Sequence, residues 1–199
     1  MNNTTKILIL IFFIAGFLYS QTFQLGFRTG LTFYSTTQQE SRPTPYFHFL
    51  LSAGLNEKKV PILSDLTEEI RFGRAITPDY WVGNDLEFVL KSHVIKNNFY
   101  LTAGLNMHSN IGSNGTMWAV YVKRIYMLLF GIGVSPPNSH AFIEVSTYIP
   151  ISNPVVGESD LYNFLPPDYN NYNFLRKQWK LNYIIAINLG LTLDIFHFK

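Results

Sequence analysis

Hydrophobic and polar residues alternate with a period of two along most of the chain after residue 20. The clearest run lies near the C-terminal end, where nine apolar residues share one parity: Trp179, Leu181, Tyr183, Ile185, Ile187, Leu189, Leu191, Leu193 and Ile195. This spacing is typical of a two-faced β-strand and not of a helix. The predicted strand is longer than the usual strand of a soluble protein.

Seven further segments bring the predicted number of strands to eight. Five of them alternate clearly: residues 23–34, 46–55, 85–94, 99–111 and 140–149. Residues 66–75 alternate poorly, and residues 117–134 are apolar at both parities, which favours a β-bulge in the latter segment. The expected strand centres are residues 28, 51, 70, 88, 105, 125, 145 and 188.

The connections between these segments alternate in length. Short ones at residues 56–61, 97–98 and 135–138 contain turn-forming residues. Those on the other side are residues 35–45, 75–80, 112–116 and the long segment 152–178. Outer-membrane barrels have this asymmetry, with short periplasmic turns and longer external loops. We therefore predict one domain, residues 21–199, folded as a single antiparallel eight-stranded transmembrane β-barrel with up-and-down topology.

Glycine indicates which face of the predicted barrel is the interior. A soluble lipocalin-like barrel also alternates, but it turns its apolar face inward. The interior of a narrow eight-stranded barrel is crowded and favours small side chains. Five glycines fall on the polar parity: Gly26, Gly30, Gly54, Gly104 and Gly190. The polar face is thus predicted to be the inside and the apolar face the outside.

In this pattern the chain resembles the OmpA/OmpX-type eight-stranded outer-membrane barrels. The resemblance covers most of residues 21–199, and it implies location in the outer membrane of a two-membrane bacterium. Such barrels usually end in an aromatic residue within a terminal insertion signal. This chain ends Phe196-His197-Phe198-Lys199, with both phenylalanines on the inward parity. Either the terminal signal is imperfect, or the last strand bulges near Asp194.

Residues 1–20 have the features of a secretory signal peptide. Lys6 supplies a positive charge, residues 7–19 are uncharged, and Ser20 is a small residue suited to the position before cleavage. The uncharged run is shorter than the roughly 20 residues that span a bilayer as a helix. An uncleaved anchor is the alternative.

Composition excludes several classes of function. The net charge is only +2, which argues against nucleic acid as a partner. The chain has no cysteine, so disulfides and thiol catalysis are absent. The histidines have no metal-ligand spacing and there is no Gly-rich phosphate loop, so no cofactor is expected.

Charged residues on the inward parity are balanced. They are Arg28, Arg71, Lys91, Lys123 and Lys180, with Glu69, Asp85, Glu87, Glu144 and Asp194. A buried charge needs a partner, so the balance predicts a neutralised, filled lumen. Asp85 and Glu87 are two residues apart and share a face. We expect them to pair with Lys91 or Arg28; a pore or proton path, acid–base chemistry or calcium binding are the alternatives.

One segment, His108-Ser109-Asn110, is similar to the His-x-Ser-Asn stretch of the lipid A deacylases, which are also eight-stranded barrels. That family has its His and Ser two residues apart, on one face. Here His108 and Ser109 are adjacent, so the pleat sends them to opposite faces. We therefore expect His108 to be a polar lumen residue and the protein not to be an enzyme, with a lipid A-modifying hydrolase as the alternative.

The long connection at residues 152–178 is the best candidate for binding. Its aromatic residues are Tyr162, Phe164, Tyr169, Tyr172 and Phe174, interspersed with asparagines. Tyrosine and asparagine together supply rigid contact area and adaptable hydrogen bonds. We predict a monomeric outer-membrane barrel, surrounded by outer-membrane lipid, that is structural or presents its external loops to a sugar or protein ligand.

Overall fold

The computed structural model describes residues 21–37, 46–58, 65–76, 83–95, 98–110, 124–136, 139–161 and 175–198. These residues form nine strands and no helix: β1 (Gln21–Thr36), β2 (Tyr46–Lys58), β3 (Asp65–Ile76), β4 (Gly83–Ile95), β5 (Phe99–Asn110), β6 (Arg124–Val134), β7 (Ala141–Pro150), β8 (Val155–Leu161) and β9 (Leu175–Phe198). Within these ranges, no helix has the length and hydrophobicity needed to cross a membrane.

Eight of the nine strands close into a ring. Neighbouring strands pair antiparallel in the order β1 to β7 and then β9, and β9 pairs back onto β1. The predicted closed, antiparallel eight-stranded barrel is therefore confirmed. The additional strand, β8, lies outside the ring and pairs only with the first residues of β9. The sequence predicts a connection at β8, because these seven residues do not alternate.

The strands are staggered around the ring. Cross-strand partners starting at Ala75 of β3 run through His48, Gly30, Asn188, Glu144, Gly133, Tyr100 and His93. The backbone N–H of His93 donates to the carboxylate of Asp65 at 2.8 Å, so the path returns to β3 ten residues before its start. Stagger fixes the tilt of the strands, and eight strands enclose just enough space for side chains.

The barrel has a polar interior and an apolar exterior. Buried positions include Arg71 at 0% exposure and Glu144 at 1%, whereas outward residues such as Phe47 and Leu189 are 63% and 58% exposed. The alternation of β7 is regular from outward Ala141 to inward Tyr148. The predicted parity is confirmed, and it is opposite to that of a lipocalin-like barrel.

The two irregular segments have different explanations. Residues 66–75 lie within β3, as predicted, and alternate poorly because charged residues occupy both faces: Glu69 and Arg71 point inward, and Glu68 and Arg74 point outward. No bulge is present in residues 124–134, where that expectation was wrong; residues 117–123 lie outside the described residues. The inward side chains of β6 are apolar because they join an internal cluster: Ala75, Val89, Ile125, Met127, Leu129, Tyr148, Leu181, Ile184 and Ala186.

Two register shifts occur in β9 against β1. The first lies opposite Phe23 and Gln24, which pair with Phe196 and Asp194, so Ile195 is the extra residue. Phe196 and Phe198 consequently face outward, at 60% and 53% exposure, and their predicted inward parity is wrong. The bulge expected near Asp194 is confirmed.

The second shift changes the face of Leu181. Ser35 pairs with Tyr183 and Thr36 with Leu181, so Asn182 is the extra residue. Leu181 is 1% exposed and belongs to the internal cluster, although its parity predicted an outward position. From Tyr183 onward the predicted outward row is correct.

The inward glycines leave room for opposing strands and rings. A Cβ atom added at any of the five glycines predicted to face inward would contact atoms of neighbouring strands. Gly133 has the same role, because a methyl group there would overlap the phenol ring of Tyr100 on β5. Tyr100 is fully buried, so its ring has no alternative position on the surface.

Gly133→Ala is expected to lower the free energy of unfolding by about 1–3 kcal/mol, because the added methyl overpacks the lumen. Urea unfolding of the refolded barrel, followed by tryptophan fluorescence, measures this change. The double variant Gly133→Ala/Tyr100→Leu should lose at least about 0.5 kcal/mol less unfolding free energy than the sum of the losses of the two single variants. Strictly additive effects would show that the ring of Tyr100 is not the obstacle.

Candidate functional site

Five charged side chains from four strands meet at the centre of the lumen, and we call them the ionic cluster. They are Arg28 on β1, Glu69 and Arg71 on β3, Glu87 on β4 and Glu144 on β7. Each is at most 4% exposed. The inward parity of all five was predicted, and the closed barrel brings them together because its interior is only one side-chain layer wide.

Both arginines bridge several carboxylates. Arg28 donates to Glu69 at 3.0 Å and to Glu144 at 3.1 Å. Arg71 donates to Glu69 at 2.7 Å, to Glu144 at 3.1 Å and to Glu87 at 3.4 Å. Removing these charges from water is costly, and the cost is offset only when each charge has a close partner of opposite sign. The ionic cluster therefore joins β1, β3, β4 and β7 across the barrel.

A basic and aromatic layer lies on one side of the ionic cluster. The ammonium group of Lys91 is 4.3 Å from the ring centroid of Tyr100 and 5.5 Å from that of Phe142. The guanidinium of Arg28 is 5.0 Å from the Phe142 centroid. These are cation–π distances, and such contacts strengthen when both groups are shielded from water.

The partners of Asp85 and Glu87 differ from those predicted. Asp85 Oδ1 lies 3.0 Å from Nδ1 of His108 and accepts from Asn106 at 3.2 Å. Glu87 accepts from Asn106 at 3.1 Å, from the Tyr148 hydroxyl at 2.9 Å and from Arg71. Lys91 and Arg28 are therefore not their direct partners. The reason is cross-strand register: His108 and Asn106 lie directly opposite the two carboxylates on β5.

His108 is a polar lumen residue, as predicted. It is fully buried beside Asp85, whereas Ser109 is opposite Asn84 on the outer face of the strand. Asp85 and His108 thus form two parts of an acid–base–nucleophile set, and the adjacent serine points away from them. A hydrolase would need its serine and histidine on one face.

A small cavity lies in the lumen beside the ionic cluster. Asp85, Glu87, Asn106, Tyr148 and His48 help to line a cavity of about 20 Å³. This volume holds about one water molecule. His48 is hydrogen-bonded to Asn188 on β9 at the same level of the barrel.

A second polar group was not anticipated from the sequence. At the end of the barrel that holds both termini, Asp65 Oδ2 lies 2.7 Å from Nδ1 of His93. Asn56 donates to the same carboxylate at 3.2 Å, and Ser92 donates to the Asp65 carbonyl at 2.8 Å. These contacts join β2, β3 and β4. Asp65 precedes the alternating part of β3, so periodicity gave no signal for it.

The remaining predicted site residues have other positions. Lys180 is exposed and faces outward, so its predicted inward orientation is wrong. Asp194 has the predicted inward parity, opposite Gln24, and it is exposed because it lies at the end of the barrel; it accepts a hydrogen bond from Gln24 at 2.8 Å. Lys123, the signal segment 1–20 and the predicted binding residues Tyr162, Phe164, Tyr169, Tyr172 and Phe174 lie outside the described residues. In the part of the chain that is described, no three His, Asp or Glu side chains could hold a metal ion.

Comparison with known proteins gives no match: no family model, curated protein or solved structure is similar to this chain. The arguments for function therefore rest on the geometry of the barrel.

Proposed function

We propose that this protein is a non-enzymatic β-barrel of the bacterial outer membrane. The observation that carries the proposal is a belt of large apolar side chains, thirty of them in the described ranges and each 38–63% exposed, around a closed barrel with a charged interior. In water, a continuous apolar surface of this size would promote aggregation. In a bilayer the same surface is solvated by lipid, and the closed ring leaves no unpaired strand edge in the hydrocarbon.

The filled lumen favours a structural or loop-presenting role over transport. The ionic cluster occupies the middle of the barrel, and its charges are already paired by 2.7–3.4 Å contacts. The proposed binding surface is instead the long connection with Tyr162, Phe164, Tyr169, Tyr172 and Phe174. Tyrosine and phenylalanine there would stack on a sugar or a protein surface. The protein would act as a monomer, after export directed by residues 1–20.

Cell fractionation tests this proposal directly. The protein is expected in the outer-membrane fraction and should migrate differently on a gel before and after heating, because a folded barrel resists the detergent. Recovery as a soluble periplasmic protein would contradict the proposal and favour the lipocalin-like alternative.

Replacing residues 162–174 by a short Gly/Ser linker is expected to leave insertion and the heat-dependent gel shift intact. The ring closes through β1 to β7 and β9, and none of the replaced residues belongs to it. The same variant should lose adhesion to host cells or binding to a glycan array, if the wild type has either. Failure of the linker variant to assemble would show that this segment is part of the folding unit.

A lipid A-modifying hydrolase is the second candidate, favoured by the 3.0 Å contact between Asp85 and His108. Mass spectrometry of lipid A from cells with and without the protein distinguishes the two. We expect identical acyl patterns. An acyl chain that is lost only when the protein is present, and retained with His108→Ala, would overturn the non-enzymatic proposal.

A further inference from the structure

Four polar residues form one lateral row on the outer face of the barrel. Arg74 on β3 pairs with Asn84 on β4, Asn84 pairs with Ser109 on β5, and Ser109 pairs with Arg124 on β6. We call these four residues the rim row. Both arginines are exposed, and Asn84 and Ser109 are half-buried. Adjacent strands are about 4.8 Å apart, so the two arginine Cα atoms are separated by roughly 14 Å across the strands.

The rim row forms the polar boundary of the apolar belt. The next outward row towards the termini consists of Phe72, Leu86, Met107 and Tyr126, and the row after it of Ile70, Phe88, Leu105 and Leu128. Ile70, Phe72, Phe88, Leu105 and Tyr126 are each 51–55% exposed. The rim row thus marks the edge of the apolar belt on the side away from the termini. Tyr126, in the neighbouring row, is a tyrosine, a residue type enriched at the membrane interface.

The rim row also lies at the end of the barrel opposite the termini. Arg74 is near the end of β3 and Arg124 is the first residue of β6, while Gln21 and Phe198 mark the other end. Because of the stagger, a row of cross-strand partners moves away from the end of the barrel where β1 begins as it passes from β3 to β6. Arg124 therefore lies farther from that end than Arg74 does. A long arginine side chain reaches from the edge of the apolar belt to the headgroups, as snorkelling residues do.

No partner within the described chain neutralises these two arginines. Their guanidinium groups make no ion pair with any residue in the described ranges, in contrast to Arg28 and Arg71. On β3 the outward acid Glu68 lies three rows nearer the termini, in the row of Leu90, Ala103 and Phe130. The outer wall at β3–β6 is therefore cationic at the loop end.

We infer that the rim row binds the phosphate groups of an anionic glycolipid in the external leaflet. This inference rests on the proposed membrane-spanning function. A guanidinium binds a phosphate through two parallel, charge-assisted hydrogen bonds, which an ammonium cannot reproduce. The amide of Asn84 and the hydroxyl of Ser109 supply further hydrogen-bond donors between the two arginines. The acyl chains of the same lipid would lie on the apolar rows directly beneath.

Native mass spectrometry of the full barrel in detergent tests this site, with bis-phosphorylated lipid A as the probe. The variant Arg74→Gln/Arg124→Gln is expected to bind this lipid about tenfold more weakly than the wild type, because two charge-assisted contacts are lost. The matched control, Glu68→Gln, changes an outward charge away from the rim row and should bind like the wild type. Lipid A stripped of its phosphates should bind the wild type and the double variant equally.

The outcomes separate this inference from the proposed function. Equal binding of bis-phosphorylated lipid A by the wild type and a double variant that retains its heat-dependent gel shift would overturn the lipid site alone. Loss of the lipid complex on adding millimolar inorganic phosphate would also overturn it, because the site would then recognise free phosphate. Absence of the gel shift in the wild type would instead refute the membrane-spanning barrel.

Discussion

Arg71→Ala is expected to lower the free energy of unfolding by about 3–5 kcal/mol, the range for breaking a buried ion pair by removing one partner. Arg71 is fully buried and donates to Glu69, Glu87 and Glu144. Without it, Arg28 still contacts Glu69 and Glu144, whereas Glu87 loses the guanidinium that neutralises it. Urea unfolding in lipid vesicles, followed by tryptophan fluorescence, measures the loss.

The same strand provides the control. Arg74 lies three positions further along β3 and points outward. Arg74→Ala removes the same side chain from an exposed position, and it should change the unfolding free energy by no more than about 0.5 kcal/mol. If the two alanine variants lose equal stability, the ionic cluster does not hold the barrel together.

Ile187→Arg is expected to have the second-largest effect, about 2–4 kcal/mol, because in the proposed membrane-spanning barrel it places a charge on the outer face near the middle of the bilayer. Ile187 is 43% exposed, and it pairs with Leu31 on one side and Val145 on the other. The penalty arises from transferring the guanidinium out of water, so it depends on depth in the membrane.

That dependence supplies an internal control on the same strand. Ile195 is 40% exposed but lies at the terminal end of β9. Ile195→Arg should cost only about 0–1 kcal/mol, the value near the interface. Urea unfolding of the two variants in vesicles measures both losses of unfolding free energy. A harmless Ile187→Arg, or equal penalties at the two positions, would contradict a bilayer around this face.

The number of barrel strands, their antiparallel closure and the inward face could be predicted from the sequence. These properties follow from local alternation and from the parity of residues such as Gly30 and Gly190. The two bulges in β9 shifted the phase; the one near Asp194 was one of two explanations for the aromatic residues at the chain end, and the one at Asn182 had no local signal. Leu181 and Phe196 were consequently assigned to the wrong faces.

The inward charges were largely predictable, but their partners were not. Parity shows that Asp85 and Glu87 enter the lumen, whereas their contacts depend on the register between β4 and β5. Register depends on turn geometry and on packing across the barrel, and neither is encoded in a period of two. The rim row was missed for the same reason, because its four residues are far apart in sequence and meet only through register.

The central claim is that the odd-numbered row of β9 from Tyr183 to Leu193 faces lipid. The chain has no cysteine, so single cysteines at Ile187, Asn188 and Leu189 can each carry a fluorophore without background labelling. In vesicles containing nitroxide-labelled lipids, fluorophores attached before refolding at residues 187 and 189 should be strongly quenched, whereas a fluorophore at residue 188 should prevent folding to the heat-modifiable form, because Asn188 is fully buried in the lumen. Quenching at residue 188 alone, or at none of the three positions, would contradict the account.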